Sequence, residues 1–402
     1  MQRSTDRIIT TQVGSLPRPN DLRQMWDDRL AKRSSYNEEA FNARVRSAVA
    51  EMVQQQHDCG IDVVSDGEQG RIGWTAFLPE RLNGLEDRPA NATTATNYGG
   101  RERAKGLFDG YTAERARLAA TGEGREFQPS KEAQEALRVR TFCVGPVSHK
   151  GPEAINREID NLNAALAKTQ VVEAFIPSVG PDNMGYLPDQ NEYYSNQEDF
   201  LRACAKAIRG EYKAILDAGF VLQIDTPVMK FNALGMEVPE FRKRFGLLVE
   251  VFNETLAGLP EDRIRLHLCY GGGRGPHSED INLPDFIDLI LQVKAAGFSY
   301  DQNPRHEWEW EIWKDTKLPD GKVLIPGCVG HTNDVIEHPE LVRQRIVRLA
   351  NLVGRENVIA SSDCGFAQSV FGPKIHPDLV WAKLRSLSEG AALATKELWG
   401  RN

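Results

Sequence analysis

Eight short apolar runs, separated by long amphipathic stretches, constrain this chain more than any other feature. They are residues 8–15 (IITTQVGS), 63–69 (VVSDGEQ), 172–180 (VEAFIPSVG), 221–228 (VLQIDTPV), 263–270 (RIRLHLCY), 298–303 (FSYDQN), 323–329 (VLIPGCV) and 358–366 (VIASSDCGF). Runs of near-continuous apolar, β-branched residues are what a parallel sheet covered on both faces requires. The stretches between them carry helical periodicity. Val342, Ile346, Leu349 and Val353 step by four, three and four, and Phe41, Val45, Ala48 and Met52 do the same, each set marking one helical face. The stretch CAKAIRGEYKAILDAG ends in a glycine just before the fourth run, as a helix-to-strand connection should. Eight such units predict an α/β fold, a TIM (β/α)8 barrel, with residues 1–402 as one domain. An open doubly wound sheet competes with it, but no G-x-G-x-x-G follows the first run, TTQVGSLPRP.

One segment does not fit a bare barrel. Residues 80–139 are polar, with a Gly/Asn/Thr-rich tract (PANATTATNYGG). They read as an inserted excursion between strands two and three, for which a lid and an oligomer arm are both compatible roles. Residues 140–151 (RTFCVGPVSHKG) read as an extra strand and turn.

Composition removes several function classes. The net charge of −8 leaves no basic footprint for nucleic acid or anionic membrane. No apolar run approaches the roughly 20 residues of a membrane helix, and MQRSTDRIITT has no apolar signal core. The expectation is a cytoplasmic protein. Six irregularly spaced cysteines in so long a chain do not make a disulfide scaffold. Each is then a buried apolar residue or a thiolate with a task.

In such a barrel the active site lies where the strands end. The run ends carry Gly14–Ser15, Asp66–Glu68, Asp225, His267–Cys269, Asp301, Cys328 and His331, and Asp363–Cys364. Residues i and i+2 of a strand face the same side, so His267 and Cys269 converge. Cys364, ending the eighth run, reaches the same mouth. One imidazole and two thiolates suit zinc, and a catalytic zinc keeps room for substrate. The competing reading is an inert polar mouth with two buried thiols.

The motifs together resemble the catalytic barrel of the cobalamin-independent methionine synthase family. TTQVGSLPRP is similar to its T-T-x-I-G-S-F-P opening, VVSDGEQGR to D-V-x-x-x-G-E, and LQIDTPVMK to I-Q-I-D-E-P-A. HLCYGG is similar to its H-x-C strand, GCVGHTN to the segment of its proton-donating histidine, and SSDCGF to its closing D-C-G. The resemblance implies zinc held by His267, Cys269 and Cys364. The fourth ligand, a glutamate in the family, falls on Asp301, or on Glu307 if the alignment slips. It further implies that Gly14, Ser15, Glu68 and Asp225 hold the amino-acid end of a thiol substrate, and that His331 is the general acid. The implied partners are a small-molecule thiol and an alkyl donor, with a homo-oligomer left open.

Departures leave the donor open between methylated folate and an epoxide. Thr226 stands where the family has Glu after Asp, and a folate-side carboxylate is replaced near Lys230 and Phe231. NEYYSNQEDF and NPRHEWEWE are similar to shorter relatives that include the epoxyalkane–coenzyme M transferases. A decarboxylase of the uroporphyrinogen type needs no metal and leaves H-x-C and D-C-G unexplained. A structural zinc would take four ligands from close-spaced loops. Trp308, Trp310 and Trp313 read as packing or interface aromatics, while His277 and Cys328 lie near the mouth without an assigned role.

Overall fold

The computed structural model describes residues 1–90, 109–121, 127–184, 188–227, 236–270, 277–278, 280–302, 304–372 and 375–400. Lys230 and Phe231, and much of the predicted excursion, lie outside the described residues. The strands are β1 (Ile9–Thr10), β2 (Val63–Val64), β3 (Leu82–Pro89), β4 (Val139–His149) and β5 (Glu173–Val179). They continue with β6 (Val221–Pro227), β7 (Ile264–Cys269), β8 (Gly297–Tyr300), β9 (Val323–Val329) and β10 (Ile359–Ser362). All but β3 and β4 form one parallel sheet in the order β1-β10-β9-β8-β7-β6-β5-β2. A parallel bridge between Thr11 and Val63 joins its two ends. The eight predicted runs are therefore the staves of a TIM barrel, not of an open sheet.

Strand alternation explains how the barrel interior is filled. Ile9, Val63, Phe175, Val221, Val323, Ile325 and Ile359 form their own buried apolar cluster, and all have odd numbers, one face of each strand. Moving along the strands, the same face turns polar: Gln223 and Arg265, then Asp225, His267 and Ser299, which are neighbours in register. The even-numbered residues face the helices and join the larger core. The barrel thus grades from an apolar bottom to a polar mouth.

The helices follow ordinary rules. Glu38–Asp58 starts at Asn37, whose side chain accepts from the Ala40 amide, and buries Phe41, Val45, Ala48 and Met52. Pro339–Val353 buries Val342, Ile346 and Leu349, with Val353 half-buried at its end. Among the described residues no helix is long and apolar enough to cross a membrane.

Between β2 and β5 the chain leaves the barrel. β3 and β4 pair antiparallel as a separate ribbon, so the excursion continues past residue 139 to His149. Gly84 takes φ +81° at a bulge where a Cβ would press on the Pro146 carbonyl oxygen at 2.6 Å, so only glycine fits. The ribbon packs on the helix Gln197–Asp217 and its lead-in; the Tyr194 hydroxyl accepts from the Val147 amide at 2.9 Å. Helix Lys131–Ala136 is tied to the helix Asn20–Leu30 through Ser130, whose amide and hydroxyl both donate to Asp27.

Candidate active site and metal centre

His267, Cys269, Asp301 and Cys364 meet at the barrel mouth. One donor atom from each lies within 4.8 Å of all the others, and all four residues are buried. The H-x-C spacing on β7 works as strand geometry requires. Asp301 follows β8, the neighbouring stave. A register irregularity at Ser361 and Ser362 in β10 precedes Cys364, and such irregularities re-aim side chains. The Cys269 and Cys364 sulfurs stand 3.4 Å apart as free thiols.

The donor set fits a metal by its unspent atoms. His267 Nδ1 pairs with Ser299 Oγ at 3.0 Å, while its Nε2 is buried without a conventional hydrogen bond. Asp301 Oδ2 accepts from the Tyr270 amide at 3.2 Å, and its Oδ1 is buried and unbonded. Orphaned buried polar atoms are costly and rare, and a cation among them satisfies all at once. The electrostatics agree. The Cys364 thiol is held well below its ordinary range by its contact with Cys269 and by the His331 and His267 imidazoles, against burial. Burial and the Cys364 thiolate push the Asp301 carboxyl well above its ordinary range. Glu307 is not in the cluster. Its carboxylate is spent on Arg345, at 2.7 and 3.0 Å, and on Arg348 at 3.2 Å, so of the two candidates Asp301 is the one that lies with the other donors.

A small cavity of about 50 Å³ opens beside the donors, lined among others by Ser15, Glu68, Asp225, His267, Cys269 and Cys364. Gly14 has φ +138°, and a Cβ there would sit 2.9 Å from Glu68 Oε1, so the glycine lets that carboxylate lie against the backbone. Glu68 itself is a non-glycine residue at φ 55°, a conformation costing on the order of 1 kcal/mol that must be held by its surroundings. Arg18 supplies that hold. Its buried guanidinium donates to the carbonyls of Glu68 (2.7 Å), Arg71 (2.7 Å) and Ala367 (2.9 Å), tying the loop after β2 to the loop after β10. Burial pushes the Glu68 carboxyl up to about 8, against the pull of Arg71. Burial likewise pushes Asp225 up to about 6, with the His267 charge opposing.

His331, after β9, is buried and acts on Cys364 through its charge. Cys328 stays out of the cluster: it is wholly buried, bonds the Pro326 carbonyl at 3.6 Å, and burial pushes its thiol up to about 12. Sequence reasoning missed Trp74, Thr226 and Gln368 as cavity-lining residues. Gln368 Nε2 donates to Cys364 Sγ at 3.1 Å, and Trp74 donates its amide to the Gln368 carbonyl. Their signal was position alone, Trp74 six residues after Glu68 and Gln368 four after Cys364. Trp313 packs inside with its Nε1 on the Tyr300 hydroxyl, Trp310 is half-buried, and Trp308 is exposed.

Comparison with known proteins agrees with this architecture. The family model described as cobalamin-independent synthase, catalytic domain, matches residues 8–148 and 189–374. A methionine synthase of Sulfolobus acidocaldarius is 25% identical over 398 residues, covering 97% of this chain and 93% of that protein. One from Pyrococcus furiosus is 26% identical over 359 residues, covering 89% and 86%. The solved structure of a B12-independent methionine synthase from Shewanella sp. W3-18-1, in complex with selenomethionine, superposes with a TM-score of 0.69 at 20% identity over 98% of this chain and 99% of that one. The chain belongs to the cobalamin-independent synthase family, through its catalytic domain, and is an enzyme of the thiol-methyltransferase type.

Proposed function

We propose that this enzyme is a zinc-dependent S-methyltransferase that activates homocysteine, or a closely similar amino-acid thiol, and methylates it from a methylated folate. The observation that carries the reading is the set of four buried donor atoms within 4.8 Å of one another, beside a cavity lined by two carboxylates. His267, Cys269, Asp301 and Cys364 would hold the metal. Zinc, when bound, supplies a Lewis acid beside which a thiol gives up its proton at neutral pH.

The remaining work falls to side chains. Glu68 and Asp225 face the cavity and pair with the substrate ammonium, while Ser15 and the Gly14 backbone border its amino-acid end. Burial of the whole pocket strengthens these charge contacts. His331, next to Cys364 in charge if not in sequence, protonates the leaving nitrogen of the donor as the sulfur–carbon bond forms. The likeness to methionine synthases supports methionine as the product.

The test is single-turnover assay of zinc-loaded protein with homocysteine and methyltetrahydrofolate, followed by mass spectrometry of the thiol product. Methionine formed only by the zinc-loaded protein is the expected result. A zinc-loaded protein that leaves methylfolate untouched but opens an epoxide with the thiol would replace the donor in this proposal.

A further inference from the structure

A buried cation lies beneath the substrate pocket and takes no part in the chemistry above. Arg265, on β7 two residues before His267, is 2% exposed and forms no ion pair among the described residues. Its guanidinium lies 3.6 Å from the centre of the Phe175 ring. The facing residue on β8, Gly297, leaves the space: a Cβ there would sit 2.7 Å from Arg265 Cβ. An unpaired buried guanidinium costs several kcal/mol, so what it holds matters.

It holds the floor of the pocket. Nε donates to Gln223 Oε1 at 2.8 Å, one terminal nitrogen to Thr11 Oγ1 at 3.1 Å, and the other to the Gln12 carbonyl at 2.9 Å. Gln223 Nε2 in turn donates to the Val13 carbonyl at 2.6 Å and to Asp225 Oδ1 at 2.7 Å. Arginine can only donate. It therefore fixes the Gln223 amide: a flip would set donor against donor at Arg265 and acceptor against acceptor at both Val13 and Asp225. The Gln12 side chain, on the other branch, accepts from the Gly14 amide.

We infer that Arg265 and Gln223 are positioning residues that set the Asp225 carboxylate, fixing one of its oxygens from below so that the other is presented to the substrate ammonium. The inference rests on the reading of Asp225 as the ammonium site.

The test is a double-mutant cycle on binding. L-homocysteine and 4-mercaptobutyrate, which lacks only the amino group, are titrated calorimetrically into zinc-loaded wild type, Q223E, D225N and the double variant. Q223E keeps an acceptor for Arg265 but turns an oxygen toward Asp225. Wild type should prefer the amino acid, and Q223E should lose about tenfold or more of that preference, the scale of a hydrogen bond to a charged group. The double variant should be no worse than D225N alone. Full preference retained by folded Q223E, or losses that multiply in the double variant, would overturn the inference. A wild type with no preference would instead remove the ammonium reading and the relay with it. Should Q223E not fold, Q223M goes through the same cycle, and R265K should give a partial loss.

Discussion

Two clusters of histidines and carboxylates stand near the mouth, and they differ in what their lone pairs are doing. In the first, His267 spends one ring nitrogen on Ser299, and Nε2, Asp301 Oδ1 and two neighbouring thiols converge. In the second, both nitrogens of His306 are taken by carboxylates, Glu309 and Asp280, at 2.9 Å each. Asp280 is shared further with His277 at 2.7 Å, and the His306 ring stacks on Tyr270 at 3.7 Å. Residue type alone would nominate both as metal sites. The first has donor atoms left over and the second has used its imidazole fully, as an ion network inside the fold.

The sharpest attempt to break that distinction removes one residue from each side. Cys364→Ala should lose bound zinc and lower thiol methylation by at least about a hundredfold, more than the loss typical of outer partners. Metal analysis, activity and a retained circular dichroism spectrum check it. His306→Asn should keep its zinc and instead lose about 3 kcal/mol of stability in urea unfolding, because two buried carboxylates lose their cation. Zinc lost from folded His306→Asn would erase the contrast.

That second effect has a pH signature. Burial works against the charged His306 ring, but the hydrogen bonds and charges of Asp280 and Glu309 win, and its pKa lies above the ordinary 6.5. A group raised in the folded state gives stability that is full below the unfolded pKa and is lost as pH rises through the folded one. The stability gap between wild type and His306→Asn should therefore be widest below pH 6.5 and narrow as pH climbs above it.

The same contrast shows what the chain's text discloses. His267 and Cys269 were legible because strand alternation is a local rule, and Cys364 because it ends another run. Asp301 was placed only through the resemblance, with Glu307 left open, since what keeps Glu307 out of the cluster is Arg345 and Arg348 arriving from a distant helix to occupy it. The barrel order could be read from apolar runs and β4 from RTFCVGPVSHKG, whereas its partner β3 could not. β3 is half-exposed and carries little periodicity, so pairing with a chain-distant strand decides it. Arg265 was hidden for a related reason: an arginine inside an apolar run looks like a surface residue until Gly297 and Phe175 are seen to make room for it.

Two smaller effects sharpen the picture of the donor cluster. Ser299→Ala leaves His267 Nδ1 without its partner, so the imidazole loses its fixed orientation. Zinc affinity, measured by chelator competition, should fall by about tenfold, with the fold intact. An unchanged affinity would mean that packing alone orients the ring.

The last effect is a count of protons. With its pKa pushed up to about 8 by burial, Glu68 is mostly protonated at pH 7 in the empty pocket. An ammonium brought against it favours the carboxylate, so binding the amino-acid thiol expels that proton. A second proton leaves the thiol itself, and the two are separable because only one belongs to Glu68. Calorimetry at pH 7 in buffers of different ionisation enthalpy should show Glu68→Gln releasing fewer protons than wild type, by the larger part of one. With 4-mercaptobutyrate, which has no ammonium to offer, the difference should vanish. Equal proton release by both proteins with homocysteine would place the ammonium on Asp225 alone and leave Glu68 as the neutral, hydrogen-bonding wall of the pocket.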